Sequence, residues 1–212
     1  GMTWTNVKLC YTSATFTGIL LESGHDPSAD TNRCTFIGCS FTGAENSGGT
    51  PTAYTAAALV SIELGIMWAF RDCNFGHGLL GISGGTVPNY AYVAEFDNCQ
   101  WYNCGTCVYN TDQAWSFTNC TFEPTRIAMA GGILANELRI IDGDGARTAY
   151  NLTFQNNWIG DQQATASTYS VVRLTGHLGA NISGNLFYLL PAAGSGGSVT
   201  CIEMDAVEGC DI

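Results

Sequence analysis

Carboxyl side chains lie beside several short apolar segments in the second half of the chain. Glycoside cleavage needs two carboxyl groups ~5–9.5 Å apart, one to protonate the leaving oxygen and one to attack or to activate water. The candidate catalytic residues are therefore Glu203, Asp142, Asp144, Asp112 and the nearby His177. Since neighbouring strands at ~4.8 Å supply such separations automatically, spacing alone discriminates little. The alternative for each carboxylate is a solvated side chain at a turn.

Aromatic and charged side chains on outward positions are candidates for binding a sugar. Aromatic rings stack on the apolar faces of sugars, and Tyr109 and Trp158 fall at positions that strand alternation directs outward. Glu63 and Arg173 are assigned to the same outward row as Tyr109. The row is predicted to contain Leu20, Glu63, Gly81, Tyr109, Ile141, Arg173 and Glu203.

Composition limits the classes of partner. The 212-residue chain is long enough for one well-filled domain. Seven Lys and Arg against 18 Asp and Glu give a net charge of −11, which repels phosphate backbones, so we predict no nucleic-acid binding. The sequence has no run of 18 apolar residues and no basic segment followed by an apolar one, so we predict neither a membrane span nor a signal peptide.

A six-residue unit recurs along the chain and supplies the elements that position these residues. At residues 117–122 it reads Phe-Thr-Asn-Cys-Thr-Phe. The other seven copies are residues 4–9, 36–41, 70–75, 96–101, 154–159, 182–187 and 207–212. Position three is always Asn, Asp or Gly, the residues that best tolerate a left-handed backbone, so we predict a sharp bend there between two strands. Positions four and six then point inward together, and by the same alternation Trp68 and Trp115 are core residues.

Five of the ten cysteines share position four of the unit, where Val or Asn stands in the other copies. Exchange with Val and Asn indicates a small buried side chain, so we predict free thiols and folding in a reducing cytoplasm. Cys104 and Cys107 are a weak zinc signal. We predict no metal and no cofactor.

A second apolar segment precedes each later unit, so that each coil has three strands and three turns. The segments are residues 19–21, 62–64, 80–82, 108–110, 140–142, 172–174 and 202–204. Over almost its whole length the chain resembles the right-handed parallel β-helix of the pectin-lyase-like superfamily. The resemblance implies an all-β solenoid of about seven to eight coils, with right-handed crossovers. It also implies a substrate cleft along the row of Tyr109 and Arg173.

Two short motifs resemble those of polygalacturonases within that superfamily. Residues 110–112 match the Asn-Thr-Asp motif, Asp142 and Asp144 would stand for an aspartate pair, and His177 for the histidine of a Gly-His-Gly motif. Here the motifs follow a strand instead of preceding it, the aspartates are not adjacent, and the Arg-x-Lys partner is absent. A literal Gly-His-Gly at residues 76–78 has no aspartate pair before it. These departures favour a chance match, and catalysis stays open.

Insertions collect mostly at one corner of the predicted coil. They are residues 43–51, 123–136, 160–168 and 188–198, and residues 24–30 form a polar excursion elsewhere. The apolar stretch 127–134 is expected either to pack on a neighbouring subunit or to fold back on its own coil. The sequence shows no capping helix, so we expect residues 1–212 to be a single β-helix domain from a longer chain.

Three functions remain open. We favour part of a bacteriophage tailspike or tail fibre, a homotrimer that binds cell-surface polysaccharide. Such a protein folds in the bacterial cytoplasm and acts in the virion tail, whereas otherwise the location is secreted or unknown. The alternatives are a polysaccharide lyase or glycoside hydrolase of pectin-lyase-like type, and a purely structural rod.

Overall fold

The fold is built from strands and two-residue turns. The computed structural model describes residues 1–11, 18–23, 33–43, 58–62, 67–78, 80–84, 92–104, 106–109, 111, 113–123, 139–142, 149–163, 168–190, 198–205 and 207–212. Among these residues there is no helix, and 21 strands form three seven-stranded sheets. Every pairing between named strands is parallel, as the sequence predicts.

Successive strands enter the three sheets in rotation, which is compatible with a parallel β-helix. Sheet A contains β1 (Met2–Thr5), β4 (Cys34–Ile37), β7 (Trp68–Arg71), β10 (Ala94–Asp97), β13 (Trp115–Thr118), β16 (Ala149–Gln155) and β19 (His177–Ser183). Sheet B contains β2 (Lys8–Cys10), β5 (Ser40–Thr42), β8 (Asn74–Gly76), β11 (Gln100–Tyr102), β14 (Thr121–Glu123), β17 (Trp158–Gln163) and β20 (Leu186–Leu190). Sheet C contains β3 (Ile19–Glu22), β6 (Ala58–Ile62), β9 (Leu80–Gly84), β12 (Thr106–Tyr109), β15 (Arg139–Asp142), β18 (Thr168–Thr175) and β21 (Ser198–Asp205).

The repeated unit forms the turn between sheets A and B in seven of its eight predicted copies. The eighth, residues 207–212, instead pairs with β19 of sheet A through Leu178 with Glu208 and Asn181 with Asp211, so Gly209 lies beside Gly179 and not beside Gly184. The third residue of the unit has positive φ in all eight copies, at Asn6, Gly38, Asp72, Asn98, Asn119, Asn156, Gly184 and Gly209. The backbone N–H of this residue still donates a hydrogen bond to the following copy of the unit, as from Asn98 to the Thr118 carbonyl at 3.1 Å. The chain therefore turns from one sheet to the next without losing its ladder of hydrogen bonds, and the predicted left-handed bend is confirmed.

Replacing Asn119 by valine is expected to lower the free energy of unfolding by about 1–2 kcal/mol, because a β-branched residue is disfavoured at its φ of 56°. Chemical denaturation of the variant measures this loss. Glycine at the same position keeps the left-handed backbone and serves as the control. A valine variant as stable as the glycine variant would contradict the turn assignment.

Two stacks of aromatic rings fill the core. At position one Phe36, Phe70, Phe96 and Phe117 stack with ring centroids 4.7–4.9 Å apart. At position six the rings of Phe41, Phe75, Trp101 and Phe122 stack at 4.6–5.2 Å. All eight side chains are buried, as are the predicted core residues Trp68 and Trp115. Parallel in-register strands bring equivalent rings within stacking distance, which gives the three sheets a continuous core.

The side chain at position four bonds to the preceding copy of the unit. The Sγ atoms of Cys73, Cys99 and Cys120 lie 3.4–3.5 Å from the carbonyl oxygens of residues 36, 70 and 96, each at position one of that copy. Asn157 makes the equivalent bond from its Nδ2 to the Phe117 carbonyl at 3.1 Å, and Asn185 makes it to the Phe154 carbonyl at 2.7 Å. Cys and Asn therefore exchange at this position because both are small donors that reach the same carbonyl.

All ten cysteines are free, as predicted from the repeat. Burial raises the pKa of Cys104 to about 12 and raises that of Cys107. A hydrogen bond with Cys99, together with burial, raises the pKa of Cys73. These thiols stay protonated and unreactive near neutral pH, since the thiolate is the nucleophile.

Thiol reagents should accordingly react with only part of the native protein. Cys10 and Cys201 are exposed and are expected to be modified within minutes at pH 8, whereas the buried thiols should react only after unfolding in denaturant. Counting modified thiols by mass spectrometry checks this. Rapid native modification of Cys73 or Cys104 would show that the position-four ladder or the neighbouring core is wrongly placed.

Candidate functional site

A row of polar side chains crosses sheet C from end to end. The strand registers align Glu22, Ser61, Ser83, Tyr109, Asp142, Arg173 and Glu203 as successive neighbours. The adjacent row contains Val60, Ile82, Val108 and Val172, which are all buried. Tyr109 and Arg173 are half-buried, while Glu22 and Glu203 are exposed. This sheet C row is the candidate functional site.

The register corrects the predicted composition of the row. Leu20 packs against the hydrophobic core, and a Cβ on Gly81 would lie 2.7 Å from the Trp101 ring. Ile141 is in register with Val108 and Val172 of the adjacent row. The member of the sheet C row on β15 is therefore Asp142 and not Ile141. Strand β6 ends at Ile62, and the predicted row member Glu63 lies outside the described residues. Of the row as first predicted, the register keeps Tyr109, Arg173 and Glu203.

Arg173 lies between two acidic positions in the sheet C row. Asp142 is its neighbour on β15 and Glu203 its neighbour on β21. Opposite charges on adjacent strands attract, although an exposed pair contributes under about 1 kcal/mol. The register thus sets Arg173, whose guanidinium has five N–H donors, at a position between two acidic residues. Such alternation suits a ligand that carries both donors and acceptors.

Both flanks of sheet C carry the variable connections of the chain. Sheets A and B are always joined by two residues, at 6–7, 38–39, 72–73, 98–99, 119–120, 156–157 and 184–185. The segments between sheets B and C range from residues 77–79 to residues 43–57, and those between sheets C and A from residue 176 alone to residues 23–33. The apolar stretch 127–134 lies outside the described residues, as do residues 44–51, 124–136, 164–167 and 191–197 of the predicted insertions, whereas residues 160–163 belong to β17. Connections of variable length therefore border the sheet C row on both sides.

His177 does not belong to this row. It begins β19 in sheet A, only 1% of its surface is exposed, and its Nε2 is hydrogen-bonded to Thr111 Oγ1 at 2.7 Å. The hydrogen bond between the His177 ring and Thr111 holds the segment after β12 against sheet A. The ring does not face a ligand bound on sheet C. His177 therefore lies on a different sheet from the candidate catalytic residues Asp142 and Glu203. The other two candidate catalytic residues, Asp112 and Asp144, lie outside the described residues.

The literal Gly-His-Gly at residues 76–78 is a structural turn. His77 has a φ of 59°, is 9% exposed, and packs edge-on against the Tyr102 ring. Its carbonyl accepts a hydrogen bond from the Tyr11 hydroxyl at 3.1 Å. A left-handed turn and a buried contact account for this motif.

Trp158 lies on sheet B, apart from the other candidate sugar-binding residues. It begins β17, is half-buried, and its ring covers the Cα of Gly160, where a Cβ would lie 2.3 Å from the ring. Leu186 and Tyr188 on the next strand are exposed. The structure therefore does not bring Trp158 together with Tyr109.

Sequence reasoning missed the members of the row that carry no obvious signal. Glu22, Ser61 and Ser83 extend it across the earlier strands, and Asp142, already a candidate catalytic residue, takes the place predicted for Ile141. Alignment of the apolar residues Leu21, Val60, Ile82 and Ile141 would have found these four, because each directly follows one of them.

Metal and membrane features add nothing to this site. The described residues contain no group of three or more His, Cys, Asp or Glu side chains placed to hold a metal ion. Cys104 and Cys107 are fully buried in the core. Within the same part of the chain there is no helix long and apolar enough to cross a membrane.

Comparison with known proteins does not assign the chain to a family: no protein-family model, curated protein or solved structure matches it.

Proposed function

We propose that the chain is a right-handed parallel β-helix of the tailspike kind, which binds a cell-surface polysaccharide along the sheet C row. The observation that carries the proposal is the unbroken register of seven polar positions across sheet C. Handedness follows the general preference of parallel crossover connections. Seven strands in each sheet support a rod of about seven coils.

The chemistry of the row suits an extended chain of sugars. Neighbouring positions recur every ~4.8 Å along the rod, so a linear polymer can meet Ser83, Tyr109, Arg173 and Glu203, which are half-buried or exposed, whereas Ser61 is buried. Hydroxyl, guanidinium and carboxylate groups exchange hydrogen bonds with sugar hydroxyls, and the Tyr109 ring offers an apolar face for stacking. The net charge of −11 disfavours strongly acidic polymers and favours neutral or amino-bearing ones.

The variable connections support the same reading. Loops on a regular scaffold usually carry specificity, and here they border the one sheet face that carries the charged row. A constant two-residue turn elsewhere keeps the scaffold rigid. The rod then presents different side chains to successive sugars while its core stays the same.

Cleavage of the bound polysaccharide is a second candidate, favoured by one observation. Asp142 and Glu203 lie two strands apart in the same row, or roughly 9.6 Å between backbones. That separation is near the upper end of the range for inverting hydrolysis, in which one carboxylic acid protonates the leaving oxygen and the other carboxylate activates water. Alanine at both positions should then abolish cleavage and leave the fold intact.

A screen of purified capsule and O-antigen polysaccharides tests the proposal. Binding to at least one polymer is expected, together with a mass in solution three times that of the chain. New reducing ends or unsaturated sugars in the bound polymer would add the enzymatic activity. Binding to none of a broad panel would overturn the proposal in favour of a structural rod, and a monomeric mass would contradict the proposed trimer.

A further inference from the structure

The outer face of sheet A carries a shallow groove that the sheet C row does not explain. It is lined by Arg71, Glu95, Asp97, Ser116 and Thr118, with the edges of Phe70 and Phe96 beneath, and its volume is about 340 Å³. These five polar residues lie on three adjacent strands, β7, β10 and β13. Register fixes their arrangement, since Asp97 lies between Arg71 and Thr118.

Short side chains on both sides of Glu95 leave room for the groove. In its row Glu95 has Ala69 as one neighbour and Ser116 as the other. No long connection crosses this edge, because sheets A and B are joined here by residues 72–73, 98–99 and 119–120 alone. The groove therefore stays open along the side of the rod.

The groove is partly preorganised. Asp97 Oδ1 accepts hydrogen bonds from Thr118 Oγ1 at 3.3 Å and from Asn119 Nδ2 at 3.0 Å, which fix its carboxylate. Nearby, Asn98 Nδ2 donates to Asp72 Oδ1 at 2.6 Å and holds the rim of the turn. A fixed acceptor lowers the entropy that a ligand must lose on binding.

We propose that this sheet A groove is a second saccharide site, which takes a neutral sugar unit. Glu95 and Asp97 accept from adjacent hydroxyls, Arg71 donates to ring or hydroxyl oxygens, and Ser116 does both. Two carboxylates disfavour a phosphate or an acidic sugar, and the Arg71 guanidinium disfavours a free cation. The ligand class rests on the function proposed above, but the site is separate and its residues are different.

Amide chemical shifts of the ¹⁵N-labelled protein, followed while neutral oligosaccharides of glucose, galactose, mannose and rhamnose are added, test the site. Shifts at residues 95–97 and 116–118 are expected. Glu95→Ala should weaken this binding roughly tenfold or more, because it removes a charged hydrogen bond. Glu123→Ala on sheet B is the matched control and should not change it. Ser116→Leu, which fills the groove, should abolish the shifts while the remaining spectrum stays folded.

The sheet C variant Arg173→Ala separates this proposal from the preceding one. Shifts at sheet A that persist in Arg173→Ala support a second site. Shifts confined to sheet C overturn the groove as a site and leave the sheet C row supported. Shifts at neither sheet with any saccharide, including polymers from the screen, overturn both.

Discussion

Replacing Asn157 by alanine is expected to lower the free energy of unfolding by about 2–5 kcal/mol. Its Oδ1 accepts from the Cys120 backbone N–H at 2.8 Å, and its Nδ2 donates to the Phe117 carbonyl at 3.1 Å. The residue is 2% exposed, so alanine takes the acceptor from the buried Cys120 N–H and removes the side-chain donor to the Phe117 carbonyl, each loss costing roughly 1–3 kcal/mol. Urea denaturation of the variant measures the loss.

Asn157→Cys is the matched control for that substitution. Its thiol restores the bond to the Phe117 carbonyl, as Cys120 does with the Phe96 carbonyl in the preceding copy. The cysteine variant should therefore recover part of the stability that alanine loses. Equal stability of the alanine and cysteine variants would contradict the account of position four as a hydrogen-bond donor.

Replacing Phe117 by alanine should destabilise the protein by about 3–5 kcal/mol, through lost burial and the cavity left behind. Its side chain is fully buried, and its ring stacks on Phe96 at 4.7 Å and meets the edge of Trp101 at 5.9 Å. Removal takes away the last ring of the four-ring position-one stack. The same unfolding measurement checks the magnitude.

Ser116→Ala, one residue earlier on β13, is the control for the aromatic substitution. Ser116 points to the outer face of sheet A, so its loss should change stability by less than about 0.5 kcal/mol. Comparable losses in the two variants would mean that the inward and outward faces of the strand are exchanged.

The turn between sheets A and B could be predicted from sequence because its signal is local. A left-handed residue restricts the choice to Asn, Asp or Gly, and this restriction appears at the same place in every copy. The role of position four was only half predicted. Its small size follows from the exchange of Cys with Asn and Val, but the bond from Cys99 Sγ to the Phe70 carbonyl depends on the neighbouring copy in space.

Sheet C was harder to predict because its strands contain buried residues in succession. Cys107 and Val108 are both fully buried, and Val171 and Val172 repeat the pattern. Strict alternation assumes one inward residue in two, so at β9 and β15 it gives the wrong phase and selects Gly81 and Ile141. The connections before and after sheet C also differ in length, which removes the constant spacing that located the other strands.

The place of His177 in sheet A could not be predicted from the short motif around it. Its strand, β19, is interrupted by Gly179 with a φ of 72°, so alternation does not run unbroken through it. The ring fills a space beside Thr111, which is 66 residues away in sequence and could not be identified as a neighbour in advance.

The most direct test of the central claim is the affinity of a bound polysaccharide for variants of the sheet C row. Arg173→Ala and Glu203→Ala should each weaken binding roughly tenfold or more, since each removes a charged hydrogen-bonding group, while stability changes little. Glu123→Ala, on sheet B, should bind as the unmodified protein does. Unchanged affinity in both sheet C variants, with their folding intact, would contradict the assignment of this row as the polysaccharide-binding site.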